Sequence, residues 1–347
     1  MKSVFFVHSH ITYLAALAVI QTEKLPLEGV FLFSVSYNRE SPIKVHNILN
    51  VVPKRSLRVS LKRKLLPQFD SDYAIKHFIG DEPFELFLAW PVYHCKFLMT
   101  HPNCKAFHFL EEGLSAYWNN MTLDEILFQR AAHQSVRSSL SWSGIKERMT
   151  DALTVFRGYN TAIQHIPNLY FQFISDNRVN YYGFSEDSFC LAFRNKHVMN
   201  MAESLKEYIF DGIPTMDDSV VYVSDYNTFS HMSYEEYLQE LDDLARYLSE
   251  NSFKKVSIKW HYKCDQALKD NLTAYFTSKF YGDVTIIPTE TIMEIVFIKS
   301  QRMIVLGNNS SLLFYAALSG HPALSLAKEK NEGFEVYWKK VKLINAQ

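Results

Sequence analysis

Short apolar runs alternate along this chain with longer segments of helical spacing, and that alternation constrains the fold more than any other feature. The runs are Val4–Val7, Val30–Val35, Leu86–Trp90, Ala106–Leu110, Val220–Val223, Val256–Trp260, Val284–Ile287, Met303–Leu306 and Ala323–Leu326. Strands that are apolar throughout, with helices between them, belong to parallel sheets covered on both faces. Tyr13–Gln21 has a helical pattern, and Ser233-Tyr234-Glu235-Glu236 is a capping box. That box opens a helix whose apolar stripe is Tyr237, Leu241, Leu244, Ala245 and Leu248. At roughly 150 residues per domain, the 347 residues allow two such units. The expected architecture is α/β, with Rossmann-like halves over 1–212 and 213–330 and a basic amphipathic tail over 331–347. Asp211–Asp218, with Gly212 and Pro214, is the expected linker, and 119–185 reads as a polar, helical excursion.

Composition narrows the function classes. Lys plus Arg number 36 against 37 Asp plus Glu, a net charge of −1, so no overall field draws the chain to nucleic acid. Cys95, Cys104, Cys190 and Cys264 are scattered without a C-x-x-C spacing, which supports neither a zinc cage nor a redox pair and fits a reducing cytosol. The apolar N-terminal stretch is interrupted by Ser3, His8, Ser9, His10 and Thr12, and reads as a strand followed by a helix. No window has the uninterrupted apolar length of a membrane span.

Three constellations carry chemistry. The run ending at Leu306 leads into Gly307-Asn308-Asn309-Ser310-Ser311, then a helical segment to Leu318 with Gly320 as its stop. Free N–H groups at a helix start, with two hydroxyls, make a receptor for phosphate, although one serine alone is equally an N-cap. Lys259-Trp260-His261-Tyr262-Lys263 puts an imidazole and two ammonium groups at the end of another strand, the edge where ligands sit in open α/β sheets. Glu111-Glu112-Gly113 puts two carboxylates at a third strand end, where repulsion and partial burial favour a general base and a solvated turn is the plain alternative.

Taken in this order, the constellations resemble the bacterial sialyltransferases of the GT-B fold, glycosyltransferase family 52 and the related polysialyltransferases. In those enzymes an acidic pair plus glycine precedes a K-x-H-P segment and then a Ser-Ser or Ser-Thr pair. Ile292-Met293-Glu294-Ile295 resembles the family's acidic segment upstream of the serines. One departure is Tyr262, where the family has proline.

The resemblance implies two Rossmann-like domains facing a central cleft, with the acceptor and base on the first and the CMP-sugar on the second. It implies Glu111 as the base, with Glu112 as second choice. His261, Ser310 and Ser311 would face the departing phosphate and Glu294 the ribose, with Asn308 or Asn309 on the cytosine or phosphate and Gly307 and Lys259 completing the donor site. The expected reaction is inverting and metal-independent transfer of sialic acid from CMP-sialic acid to a lipooligosaccharide, O-antigen or capsule glycan, with no cofactor beyond the donor substrate. Pseudaminic acid, legionaminic acid or Kdo donors, or a noncatalytic nucleotide- or glycan-binding protein, are the alternatives. Asp70-Ser71-Asp72 matches the metal-holding Asp-x-Asp string but follows no strand, and Asp225 is better placed at a strand end. His101-Pro102 and His321-Pro322 read as structural.

The expected location is the bacterial cytoplasm, peripheral on the inner face of the membrane. Lys54, Arg55, Arg58, Lys62, Arg63 and Lys64 form one basic stretch, and Lys339, Lys340 and Lys342 another, each suited to an anionic lipid surface. A homodimer is among the expected assemblies.

Overall fold

The computed structural model describes residues 1–51, 68–89, 93–117, 155–159, 176–189, 195–226, 232–330 and 334–344. The basic stretch 54–64 and most of 119–185 lie outside them, as do Trp90 and Cys190. The chain divides into two units, Met1–Ile209 and Phe210–Gln347.

The first unit is built on strands β1 (Lys2–Phe6), β2 (Val30–Ser34), β3 (Val45–Asn47), β4 (Phe84–Leu88), β5 (Cys104–Leu110), β6 (Tyr181–Gly183) and β7 (Lys196–Val198). Their order is β3-β2-β1-β4-β5-β6-β7, and neighbours run parallel. Apolar side chains on both strand faces explain the burial: Phe5 pairs in register with Phe87, and their rings stack 4.4 Å apart. The helix His10–Thr22 is buried at every position from Ile11 to Ile20. It is a core helix, apolar all round, and not a surface helix with one apolar stripe. Ser9 caps it through a box closed by Thr12.

The second unit is built on β8 (Val220–Val223), β9 (Lys255–Lys259), β10 (Asp283–Ile286), β11 (Ile304–Gly307), β12 (Ala323–Ser325) and β13 (Lys342–Leu343). Their order is β10-β9-β8-β11-β12-β13, again with parallel neighbours. The expected capping box forms: Ser233 N–H donates to Glu236 Oε2 at 2.8 Å, and Glu236 N–H to Ser233 Oγ at 3.2 Å. The helix it opens, Tyr234–Glu250, buries its whole predicted stripe against Ile258, Leu272 and Phe276.

Limits of the nine expected strands agree to within two residues, with Trp260 just beyond β9. Strands β3, β6, β7 and β13 were not expected, and β6 lies in the segment read as a helical excursion, since strands of two or three residues are too short to show a pattern. The larger difference is at the C-terminal end, where a basic amphipathic tail was expected. Glu335–Lys340 is a helix and Lys342–Leu343 joins the sheet beside β12. Val336, Tyr337 and Val341 are buried and Tyr337 stacks on Phe314, so the apolar face of this segment packs on its own unit and its charged residues Glu335, Lys339, Lys340 and Lys342 are exposed.

The order in which successive strands are added reverses once in each sheet, between β1 and β4 and between β8 and β11. A crevice opens at the carboxyl ends of the strands where such a reversal occurs, so these two places are where ligand chemistry belongs.

Candidate active site

In the second unit the reversal is framed by the ends of β8 and β11. Gly307 is the last residue of β11, and a Cβ there would lie 2.7 Å from the carbonyl oxygen of Val223. It is a glycine because β8 and β11 approach closely, not because a ligand needs the space. Asn308 is buried: its Nδ2 donates to Glu240 Oε2 at 2.7 Å, and its carbonyl accepts from Ser325 Oγ at 2.6 Å. Asn309 bridges the reversal, its N–H donating to Asp225 Oδ2 at 3.2 Å, while its Oδ1 is buried without a partner. Asn308 is therefore a structural residue of the turn, whereas Asn309 retains an acceptor atom.

Ser310 is the N-cap of the helix Ser311–Leu318, accepting from Leu312 N–H at 3.3 Å. The plain reading thus holds for Ser310. Ser311, the first helical residue, is partly exposed at the end of the helix where the unpaired N–H groups and the positive end of its dipole lie.

His261 follows β9, one strand beyond β8, so it emerges at the same edge about two strand spacings, roughly 10 Å, from the serines. Its Nδ1 accepts from Lys263 N–H at 3.2 Å, and its carbonyl accepts from Cys264 N–H at 3.0 Å. This small turn fixes the imidazole even though Tyr262, 67% exposed, stands where the family has proline. With Nδ1 accepting, the proton of the neutral ring is on Nε2. Burial first, then the charges of Lys263 and Lys269, push the His261 pKa down from its ordinary value. These causes favour the neutral ring, an N–H donor in a cationic neighbourhood.

Lys259, expected at the donor, is occupied elsewhere. Its Nζ is buried and donates to the carbonyls of Pro288 (2.6 Å) and Thr289 (2.8 Å), clamping the loop after β10. Burial lowers its pKa to about 8, opposed by the carboxylates of Glu290 and Glu294. Glu294 lies in the first turn of Met293–Lys299 and is 8% exposed; burial raises its pKa and Lys259 holds it down.

Three groups escaped the sequence reading. Glu240 occupies the buried stripe of Tyr234–Glu250, accepts from Tyr222 OH at 2.7 Å as well as from Asn308, and carries a pKa raised to about 7 by burial and by Asp225. Asp225 is itself raised by burial. A carboxylate at stripe spacing, three residues after Tyr237 and four before Leu244, was the signal available for Glu240. Glu240, Asn308 and Asn309 line a pocket of ≈ 320 Å³ together with Glu236, Asp243, Glu329 and Lys328, a predominantly acidic lining. Lys269 was the second omission, and its Nζ donates to Thr289 Oγ1 at 2.9 Å. The third was His8 in the first unit.

In that unit the acidic pair follows β5. Glu111 is fully buried; its Oε2 accepts from Phe184 N–H at 2.7 Å, and its N–H donates to Tyr182 O at 2.9 Å. Gly183 leaves the room this needs, since a Cβ there would lie 3.1 Å from Glu111 Oε2 and would overlap Ser188. The buried Tyr117 phenol has its pKa raised by desolvation and then by the Glu111 carboxylate. Glu111, first choice as base, has no exposed surface and braces the end of β6. Glu112 is the accessible member of the pair, its side chain 23% exposed. Its Oε1 meets His8 Nε2 from the end of β1, while Oε2 has no partner. Gly113, with φ +54°, supplies the turn after the pair.

Asp72 belongs to a structural cluster: it pairs with Arg157 at 2.6 Å and also meets Tyr159, and burial raises its pKa to about 6. It lies on the helix Phe69–Phe78 with Asp70, 3.9 Å from His101 just before the start of β5 and so not at the carboxyl edge of the sheet. His321 is buried with Nε2 2.7 Å from Phe297 O, and burial takes the half-buried His101 down to about 4, while Pro102 and Pro322 are exposed. Among the described residues, no group of three or more His, Cys, Asp or Glu side chains is arranged to hold a metal ion. None of the described helices is long and apolar enough to cross a membrane.

Comparison with known proteins places this geometry. A sialyltransferase from Photobacterium damsela superposes with a TM-score of 0.50 at 12% identity, over 99% of this chain and 81% of that one. A UDP-GlcNAc 2-epimerase from Neisseria meningitidis does so at 0.50 and 13%, over 99% and 87%. A putative UDP-N-acetylglucosamine 2-epimerase from Listeria monocytogenes gives 0.52 and 11%, over 99% and 84%. At these identities the likeness shows the fold, the GT-B fold of two Rossmann-like units. No curated protein matches the sequence. The model of the alpha-2,8-polysialyltransferase (POLYST) family matches residues 3–327, a span that reaches every strand but β13 and takes in all three motifs. The chain belongs to the alpha-2,8-polysialyltransferase family and is a glycosyltransferase.

Proposed function

We propose that the protein transfers sialic acid from CMP-sialic acid to a hydroxyl of a glycan acceptor by direct, inverting displacement without a metal ion. The observation that carries this reading is the contrast in chemistry at two strand edges of a chain in this family. The edge of Phe210–Gln347 offers N–H and O–H donors amid lysines, suited to a phosphate. The edge of Met1–Ile209 offers a carboxylate with an unpaired oxygen, suited to a hydroxyl proton.

The acceptor oxygen forms a bond to the anomeric carbon as the bond from that carbon to the CMP phosphate breaks, and the bonding pair leaves with the phosphate. Glu112 takes the hydroxyl proton. His261 Nε2–H, the Ser311 hydroxyl and the amides of its helix stabilise the charge growing on the phosphate, with Lys263 and Lys269 adding positive potential. Glu294 is assigned to the ribose and Asn309 to the cytosine. Backbone and side-chain donors neutralise the phosphate in this scheme, so turnover should persist in EDTA; loss restored by Mg²⁺ would reject it.

The family's description makes a glycan ending in sialic acid, such as a capsule or lipooligosaccharide chain, the first acceptor to test. An acceptor panel offered CMP-sialic acid and other CMP-activated nonulosonic acids decides the donor. Transfer only from a different donor would move the assignment within the family. Attachment to an anionic membrane surface through exposed lysines is assigned to the same protein, and salt-sensitive flotation with anionic liposomes tests it.

A further inference from the structure

We infer that His8 is a positioning residue for the proton-accepting carboxylate, its imidazole holding Glu112 Oε1 so that Oε2 is left for the acceptor hydroxyl. The inference rests on the reading of Glu112 as the base.

The two residues come from different strands. His8 lies just after β1 and Glu112 just after β5, with β4 between them, so the side chains meet across the carboxyl end of β4 where the sheet reverses. Both main chains are fixed. His8 N–H and Ser9 N–H each donate to Thr12 Oγ1 at 3.0 Å, so the box that starts the core helix also sets the direction of His8. Thr12 is fully buried. Glu112 is held by the turn at Gly113 and by the Ser115 hydroxyl, which donates to its carbonyl.

An ordinary ion pair would not leave the carboxylate in this condition. One oxygen is held by Nε2, whereas the other is buried with no hydrogen-bond partner, a costly state for a structural group and a useful one for a group awaiting a substrate proton. The other atoms of the pair keep contact with solvent, His8 at 29% and Glu112 at 23% side-chain exposure, in contrast to the closed Glu111 beside it. A donor on one oxygen fixes the carboxylate plane, and proton transfer depends on that orientation.

The test uses the full chain with CMP-sialic acid and a sialic-acid-terminated acceptor, comparing His8→Ala, His8→Gln, Glu112→Gln and the His8→Ala/Glu112→Gln double variant. His8→Ala should lower kcat about tenfold to a hundredfold, the scale of a misplaced catalytic group, with the donor KM unchanged. His8→Gln should recover most of that loss, because its amide N–H reaches the position of Nε2. In the double variant His8→Ala should add nothing to the loss from Glu112→Gln.

Additive losses, or a His8→Gln variant as slow as His8→Ala, would overturn the inference. So would wild-type turnover in His8→Ala beside a slow Glu112→Gln, with the base assignment left standing. Wild-type turnover in Glu112→Gln would overturn that assignment first. Should His8→Ala fail to fold, His8→Gln against the shorter His8→Asn keeps the comparison: equal rates would reject the inference, and a faster His8→Gln would support it.

Discussion

The two sheets reverse in the same way, yet the groups at their reversal points are opposite in kind. At the end of β11 the carboxylates of Glu240 and Asp225 are engaged by Asn308, Tyr222 and the Asn309 N–H, and the groups assigned to the phosphate are the start of the Ser311–Leu318 helix and the turn after β9. At the end of β5 one carboxylate is drawn inward and its neighbour is kept out, with one oxygen unpaired. In the proposed scheme the edge of the second unit receives the phosphate and the edge of the first receives the acceptor proton.

The largest effect should break the symmetry of the acidic pair. Glu112→Gln should lower turnover by roughly 10²- to 10⁴-fold, the range for a positioned general base, with donor affinity and melting temperature little changed. Glu111→Gln should instead show chiefly in thermal unfolding, because Phe184 N–H then faces a group that is both donor and acceptor. The reverse pattern would return the base to Glu111.

On the other edge, His261→Ala should slow turnover by roughly 10²-fold, the scale of losing one transition-state donor. Because burial and two lysines favour the neutral ring, the alkaline limb of the rate profile should not move. Disappearance of that limb in the variant would make His261 the acid.

A smaller effect concerns stability alone. Glu240 has a folded pKa raised from 4.5 to about 7, so between those values the folded state holds more protons than the unfolded one and stability falls as pH rises. The loss should be of order 1–3 kcal/mol across that window, with a plateau above it. Glu240→Gln should flatten the profile in thermal melts taken from pH 4.5 to 8. A slope unaltered by the substitution would locate the titration elsewhere.

Smaller still, Ser310→Ala should cost about 1 kcal/mol as a lost N-cap, whereas Ser311→Ala should leave the melting temperature alone and slow turnover. Equal stability and equal rates in both would remove the serine pair from the site.

The parallel strands were legible because burial on both faces leaves no polar alternation to confuse the reading, and the capping box at Ser233 and Glu236 was legible because it is local. Side-chain partners were not. Lys259 reads as a donor ligand because it ends a strand, yet it points to two carbonyls of a loop some thirty residues on, which no local pattern encodes. Asn308 reads as a ligand for the same reason and is tied to Glu240 on a helix 68 positions away. The tail misled because an amphipathic pattern states that an apolar face is covered without stating by what. His8 was read only as an interruption of an apolar stretch, although the Ser9–Thr12 cap behind it places it at a strand end.

The central claim is tested most directly by following CMP-sialic acid and a sialic-acid-terminated acceptor by NMR with the purified protein in EDTA. The account predicts that each donor consumed releases one CMP and yields one sialylated acceptor with inverted anomeric configuration. An untouched donor, or a product of retained configuration, would contradict it.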